Sequence, residues 1–217
     1  MAGNIELYGN SKLGGFQRAY EESATIAYQK LAEMDIKEVC RVSGAVMKAE
    51  TILTLVYIEE TYQIDLAQRQ ITGRAGPPEI YDQLIMLHYL TAPRLIERQI
   101  KPITFKELPD GLSYYPTYMR RCVKPLIERF GDNPDDLTET GIKLGAVSIP
   151  RGDAGIHLRA LPRININIVL WRGDEELPAE GTVYFSSDIK DYLPTEDIAV
   201  LGQSIARKLI TEAVINK

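Results

Sequence analysis

The chain predicts an α+β fold: a single domain with an N-terminal helix and hairpin, central helices, and a C-terminal antiparallel sheet closed by a final helix. Three observations carry this. Ile164, Ile166, Ile168 and Leu170 alternate with Asn165, Asn167, Val169 and Trp171, which is the period-2 pattern of a strand with one buried face. Phe16, Tyr20, Ala24, Ala27 and Leu31 recur at three- and four-residue steps, the stripe of an amphipathic helix. Between them, helical and extended patterns follow one another without the regular strand–helix alternation of a doubly wound sheet.

In chain order, the stripe predicts a helix over 14–34, preceded by an extension over 1–14. A second, short helix is expected from Asp35 to Val42, stopped at Ser43-Gly44. Thr51 to Ile58 is rich in β-branched and aromatic residues, and Tyr62 to Leu66 resumes the pattern after Glu59-Glu60-Thr61, so the pair reads as a hairpin. Gly76-Pro77-Pro78 then opens a helix with Ile80, Leu84, Leu87 and His88 or Tyr89 on its inner face and Pro93 near its end. A short strand falls within Lys101 to Leu108, before the Pro109-Asp110-Gly111 turn.

Residues 114–130 read as one helix or two, broken at Pro125 and stopped by Gly131 in the left-handed conformation. Asn133-Pro134 caps another helix over 135–144, ended by Gly145. Strands follow near Gly155 to Ala160 and Ile164 to Arg172, then a turn at Gly173-Asp174 and a strand near Thr182 to Phe185. Pro194, Thr195, Glu196 and Asp197 announce the last helix with a fixed φ, a capping oxygen and first-turn anions. No Gly-rich or Pro-rich stretch is long enough for a linker, so 15–217 reads as one domain.

Composition narrows the function classes. The 217 residues carry 45% apolar residues and a net charge of −5, which argues against nucleic acid as the main partner. No run is long and apolar enough to span a bilayer, and the start, MAGNIELYGNSKLGG, lacks the basic and apolar regions of a secretory signal, so no membrane partner and a cytoplasmic location are expected. Two cysteines, Cys40 and Cys122, lie far apart and outside any paired motif; both are expected to be unpaired structural thiols. Acid is concentrated between Gly173 and Asp197, where eight carboxylates face one lysine.

Chemistry-bearing residues are few. His157 alternates with Ile156 and Leu158, four residues after Asp153, and positions 153, 155 and 157 share one strand face, which makes Asp153 and His157 the candidate acid–base pair. Asp174, Glu175 and Glu176 form an acidic turn that could offer oxygens to a hard divalent cation, although turns favour such residues in any case. Twelve tyrosines outnumber four phenylalanines. Tyr114 and Tyr118 precede Arg120 and Arg121 in a combination suited to gripping a planar anionic ligand, with core packing as the competing role. His88, on an apolar helix face, is a further candidate ligand contact, with a core histidine bonded to a backbone carbonyl as the alternative. Ser43-Gly44 follows a helix and could expose a hydroxyl nucleophile, or simply end the helix. Neither a phosphate-cradling glycine loop nor a nucleophile elbow is present.

The runs LPRININIVLWRGDEE and YLPTEDIA, with LHYL at 87–90, LPDG at 108–111, PLIERFG at 125–131 and GDA at 152–154, resemble the uncharacterised prokaryotic family of domain of unknown function 3786, from about residue 15 to the end. The resemblance implies no agreed activity and no catalytic residues. It implies a setting common in anaerobes, and relatives in which a cysteine-rich module of the four-iron, four-sulfur kind precedes this domain; the present sequence contains no such module. The expectation is therefore a non-catalytic cytoplasmic accessory protein that binds a small molecule, a metallocofactor of tetrapyrrole or iron–sulfur type, or a redox partner. An enzyme using an Asp/His/Glu cluster with a divalent cation is the alternative, and a protein-interaction module the second. The cofactor itself is not specified.

Overall fold

The structure, a computed structural model, describes residues 10–92 and 100–215, with side chains from residue 18 onward. The expected extension over 1–14, the side chain of Phe16 and the expected stop at Pro93 lie wholly or partly outside those residues.

The fold is α+β, built from two antiparallel sheets and a set of helices. Helix α1 (Asn10–Ala32) leads into α2 (Ile36–Ser43). Asp35 caps α2 by accepting from the backbone N–H of Lys37, and Gly44 ends it at φ +78. Strands β1 (Val46–Ala49), β2 (Ile52–Tyr57), β3 (Glu60–Asp65) and β4 (Gln70–Thr72) form a meander in that order. The expected hairpin is thus the centre of a four-stranded sheet, whose short outer strands carry too little alternation to announce themselves.

The β2–β3 turn is made by Ile58 and Glu59, both at positive φ (44° and 68°), the primed geometry that suits strand twist. Ile58 is a poor residue for that region. It is held there because its side chain is buried and its N–H donates to Ala160 O at 2.9 Å, joining the meander to the second sheet.

Helix α3 (Ile80–Leu90) buries Leu84, Ile85, Leu87 and Tyr89, and β5 (Pro102–Thr104) follows before a short 3-10 turn. Helix α4 (Gly111–Tyr118) and α5 (Lys124–Phe130) are joined through a π-helical stretch over Met119–Val123. The expected break at Pro125 is displaced: proline sits in the first turn of α5, where a missing N–H costs nothing. Gly131 also departs from expectation, with φ −63 and ψ −35, which is right-handed. Glycine is needed there for space instead, since a Cβ would lie 2.7 Å from Ala179 Cβ and 2.6 Å from the Ile127 carbonyl oxygen.

Helix α6 (Asp135–Lys143), ended near Gly145 at φ +73, precedes β6 (Val147–Ser148), β7 (Ala154–Leu161), β8 (Ile164–Trp171) and β9 (Glu180–Ser186). The second sheet has the order β5-β9-β8-β7-β6, all antiparallel. Ile164, Ile166, Ile168 and Leu170 are buried as the alternation requires, with Asn165 and Asn167 half-buried. A short α7 (Ile189–Tyr192) leads to α8 (Thr195–Ile215), which packs against α3, α4, α5 and α6. One connected set of buried side chains runs from Ala27 in α1 through both sheets to Ala213 in α8.

Candidate functional site at the start of helix α8

Helices α3 and α8 run antiparallel, and their shared seam carries polar residues where both stripes are otherwise apolar. Near the α3 N-terminus, Arg207 reaches Glu79 at 3.8 Å and Asp82 at 3.3 Å. Asp82, only 3% exposed, also accepts from Tyr57 Oη at 2.7 Å and Ser204 Oγ at 2.6 Å. Each buried oxygen of this carboxylate therefore has a donor. Burial and the neighbouring Asp82 charge push the Tyr57 phenol far above its ordinary range. The cluster ties β2, α3 and α8 together, with both oxygens of the carboxylate engaged by protein donors.

At the other end of the seam, His88 Nδ1 meets Asp197 Oδ2 at 2.5 Å. Asp197 lies in the first turn of α8 with its side chain 10% exposed, whereas the imidazole of His88 is 29% exposed. An ionised carboxylate only accepts, so the Nδ1 that meets it carries the proton. Nε2 has no hydrogen-bond partner among the described residues.

Around this pair the tyrosines gather. Tyr20 of α1 meets Tyr81 of α3 edge-to-face at a centroid distance of 4.5 Å. Burial, followed by the proximity of Tyr81, Glu196, Asp197 and Tyr114, raises the Tyr20 phenol to about 12. Tyr114 and Glu196 continue onto the wall of an open groove of about 490 Å³, whose other lining residues include Asp110, Lys190, Leu193 and Thr195. Thr195 Oγ1 donates to Pro109 O at 2.7 Å and so pins the start of α8 to the turn before α4. Asp110 holds that turn at φ +55. Among the described residues Asp110, Lys190 and Glu196 form no ion pair or side-chain hydrogen bond.

The residues singled out from sequence are dispersed. Asp153 and His157 do not form a pair: four residues of strand separate them by about 13 Å of rise. Asp153 Oδ2 instead accepts from the Arg172 backbone N–H at 2.7 Å, closing the edge of β7 and β8, while His157 Nδ1 meets its cross-strand partner Asn167 at 2.7 Å. Asp174 is a turn residue, its Oδ1 accepting from the N–H groups of Leu177 and Glu176; those bonds hold its carboxyl below the usual range. Glu175 and Glu176 are exposed beside it. Among the described residues no three His, Cys, Asp or Glu side chains gather closely enough to hold a metal ion.

The Tyr/Arg grouping divides as well. Tyr118 is 2% exposed and stacks on Phe105 at 4.0 Å, its hydroxyl set against the Cys122 thiol; burial, then Cys122, raises its pKa strongly. Arg120 and Arg121 sit on the π-helical stretch and do not line the groove that Tyr114 lines. His88 does have a protein partner, but a carboxylate rather than the expected backbone carbonyl. Ser43 is spent on ending α2, donating to Val39 O and accepting from Ala45 N–H. Cys40 and Cys122 are both unpaired, and burial pushes the Cys122 thiol up to about 12.

Sequence reasoning missed Asp82, Tyr57, Ser204 and Arg207. Asp82 shares its helix face with Ile85, Met86 and Tyr89, and a lone charge inside an apolar stripe is the signal that marks it. Its partners lie up to 125 residues away and leave no local trace. Tyr20, Asp110 and Thr195 were legible only as helix and turn residues.

Among the described residues no helix is long and apolar enough to cross a membrane. No curated protein and no solved structure matches the chain. The model of the family described as domain of unknown function DUF3786 matches residues 35–208, a span that contains His88, Asp110, Tyr114, Lys190, Glu196 and Asp197 and begins after α1. The chain therefore belongs to that family.

Proposed function

We propose that this protein is a non-catalytic accessory protein that binds a small molecule in the groove ahead of α8. The supporting observation is a groove of small-molecule size, about 490 Å³, walled by Asp110, Tyr114, Lys190, Leu193 and Glu196 at the start of the helix whose Asp197 holds the His88 imidazole. The charged groups on the groove wall, Asp110, Lys190 and Glu196, form no ion pair among the described residues, unlike those of the Asp82 cluster. An iron–sulfur cluster does not fit the residues present, because Cys122 is held as a buried neutral thiol and Cys40 stands alone as a thiolate source. Toward a tetrapyrrole this region would offer one oriented imidazole, His88. Native mass spectrometry of the anaerobically purified protein tests the proposal. A retained ligand mass that disappears on Tyr114→Ala supports it; a ligand retained equally by that variant places binding elsewhere and contradicts it.

The His88–Asp197 geometry also favours a second reading, an enzyme in which Nε2 is a general base, taking the role first sought at Asp153 and His157. It requires turnover that His88→Gln abolishes at temperatures where the variant is still folded.

A further inference from the structure

We infer that the groove ahead of α8 selects a protonated amine joined to a small apolar or aromatic body, an inference that rests on the ligand-binding reading of that groove. Of the three charged side chains on its wall, two are carboxylates and one is an ammonium. Asp110 and Glu196 present carboxylates without an ion-pair partner among the described residues. The ring of Tyr114 adds a π face, which attracts cations. Lys190 is the one donor with a full charge on the wall.

The start of a helix ordinarily favours an anion, through its free N–H groups and dipole. Here Glu196 and Asp197 occupy the first turn and oppose that preference. Asp197 is already committed to His88, so Glu196 is the carboxylate left for a ligand. Pro109, Leu193 and Pro194 supply apolar wall for the remainder of the molecule. An amine with a hydrocarbon body can donate to the acceptors while laying that body on the prolines and Leu193. A carboxylate or phosphate of the same size would meet two unpaired carboxylates.

Calorimetry with three isosteric probes tests the inference: phenethylamine, protonated at neutral pH, phenethyl alcohol and phenylacetate. Saturable binding of the amine is expected, with the alcohol weaker and phenylacetate weakest. Glu196→Gln and Asp110→Asn should each weaken the amine roughly three- to tenfold, and Lys190→Ala should tighten it. Both acidic positions are exposed, and Asn tolerates the positive φ of Asp110, so these variants keep the fold. Binding of phenylacetate or the alcohol as tightly as the amine overturns the amine assignment while leaving the groove a ligand site. Absence of binding by all three overturns the assignment, and unchanged amine affinity in both acidic variants does the same by placing the amine elsewhere.

Discussion

His88 and Asp197, 109 positions apart in sequence, meet at 2.5 Å where α3 and α8 pass one another. The contact gives Asp197 two tasks, as a first-turn anion of α8 and as the partner that fixes the imidazole. Asp197→Asn removes a charge from both and should cost about 1–2 kcal/mol. In a double-mutant cycle with His88→Gln, urea unfolding should show coupling of about 1 kcal/mol or more. Additive single effects would mean that the pair is an accident of packing.

The Asp82 cluster predicts a larger loss. Asp82→Ala strands the Tyr57 and Ser204 hydroxyls and leaves Arg207 with only the distant Glu79, so destabilisation of about 3–5 kcal/mol is expected. Arg207 is half-exposed and water relieves part of that, which favours the lower end. Asp82→Asn keeps an acceptor for both hydroxyls and should cost less. Equal losses in the two variants would show that side-chain volume, rather than hydrogen bonding, is what matters at this position.

Much of the fold was legible because local patterning and tertiary burial agree. The β8 alternation, the Asp35 and Gly44 ends of α2 and the proline-led start of α8 each carry their own signal. The short strands β1, β4 and β6 do not, since two to four residues cannot establish a period and their pairing comes from neighbours. The candidate site was less legible still. Residue types drew attention to Asp153 and His157 on a shared strand face, yet strand rise keeps them apart, while the histidine that does meet a carboxylate finds it on a distant helix.

Alkaline pH should weaken the fold through groups that burial keeps neutral. Cys122, with an ordinary value of 9.0, is raised to about 12, and Tyr20 is raised from 10.0 to about 12. Above their ordinary values the unfolded chain has released protons that the folded protein still holds, so stability falls as pH rises. The decline should begin above pH 9 and continue to about pH 12. Thermal melts across that range check it, and a melting temperature that is flat up to pH 11 would contradict it.

Thiol labelling separates the two cysteines. In the folded protein at pH 8, Cys40 should react slowly, being half-buried, and Cys122 should react only on unfolding. Two thiols reacting at equal rates under native conditions would contradict the packing of Cys122 against Tyr118.

Gly131 is predicted to resist substitution although its backbone is right-handed. Gly131→Ala should lose about 1–3 kcal/mol through overpacking against Ala179. A neutral or stabilising effect would mean that the loop before β9 yields freely to an added methyl.

The most direct test of ligand binding ahead of α8 is a two-dimensional NMR titration of the labelled protein with phenethylamine. Perturbations are expected at Asp110 to Tyr114, at Lys190 to Asp197 and at the His88 ring, with His157, Asn167 and the Asp174 turn unmoved. Perturbations centred on the Asp174 turn or on His157 would place the ligand at the β7–β8 part of the second sheet and contradict the account.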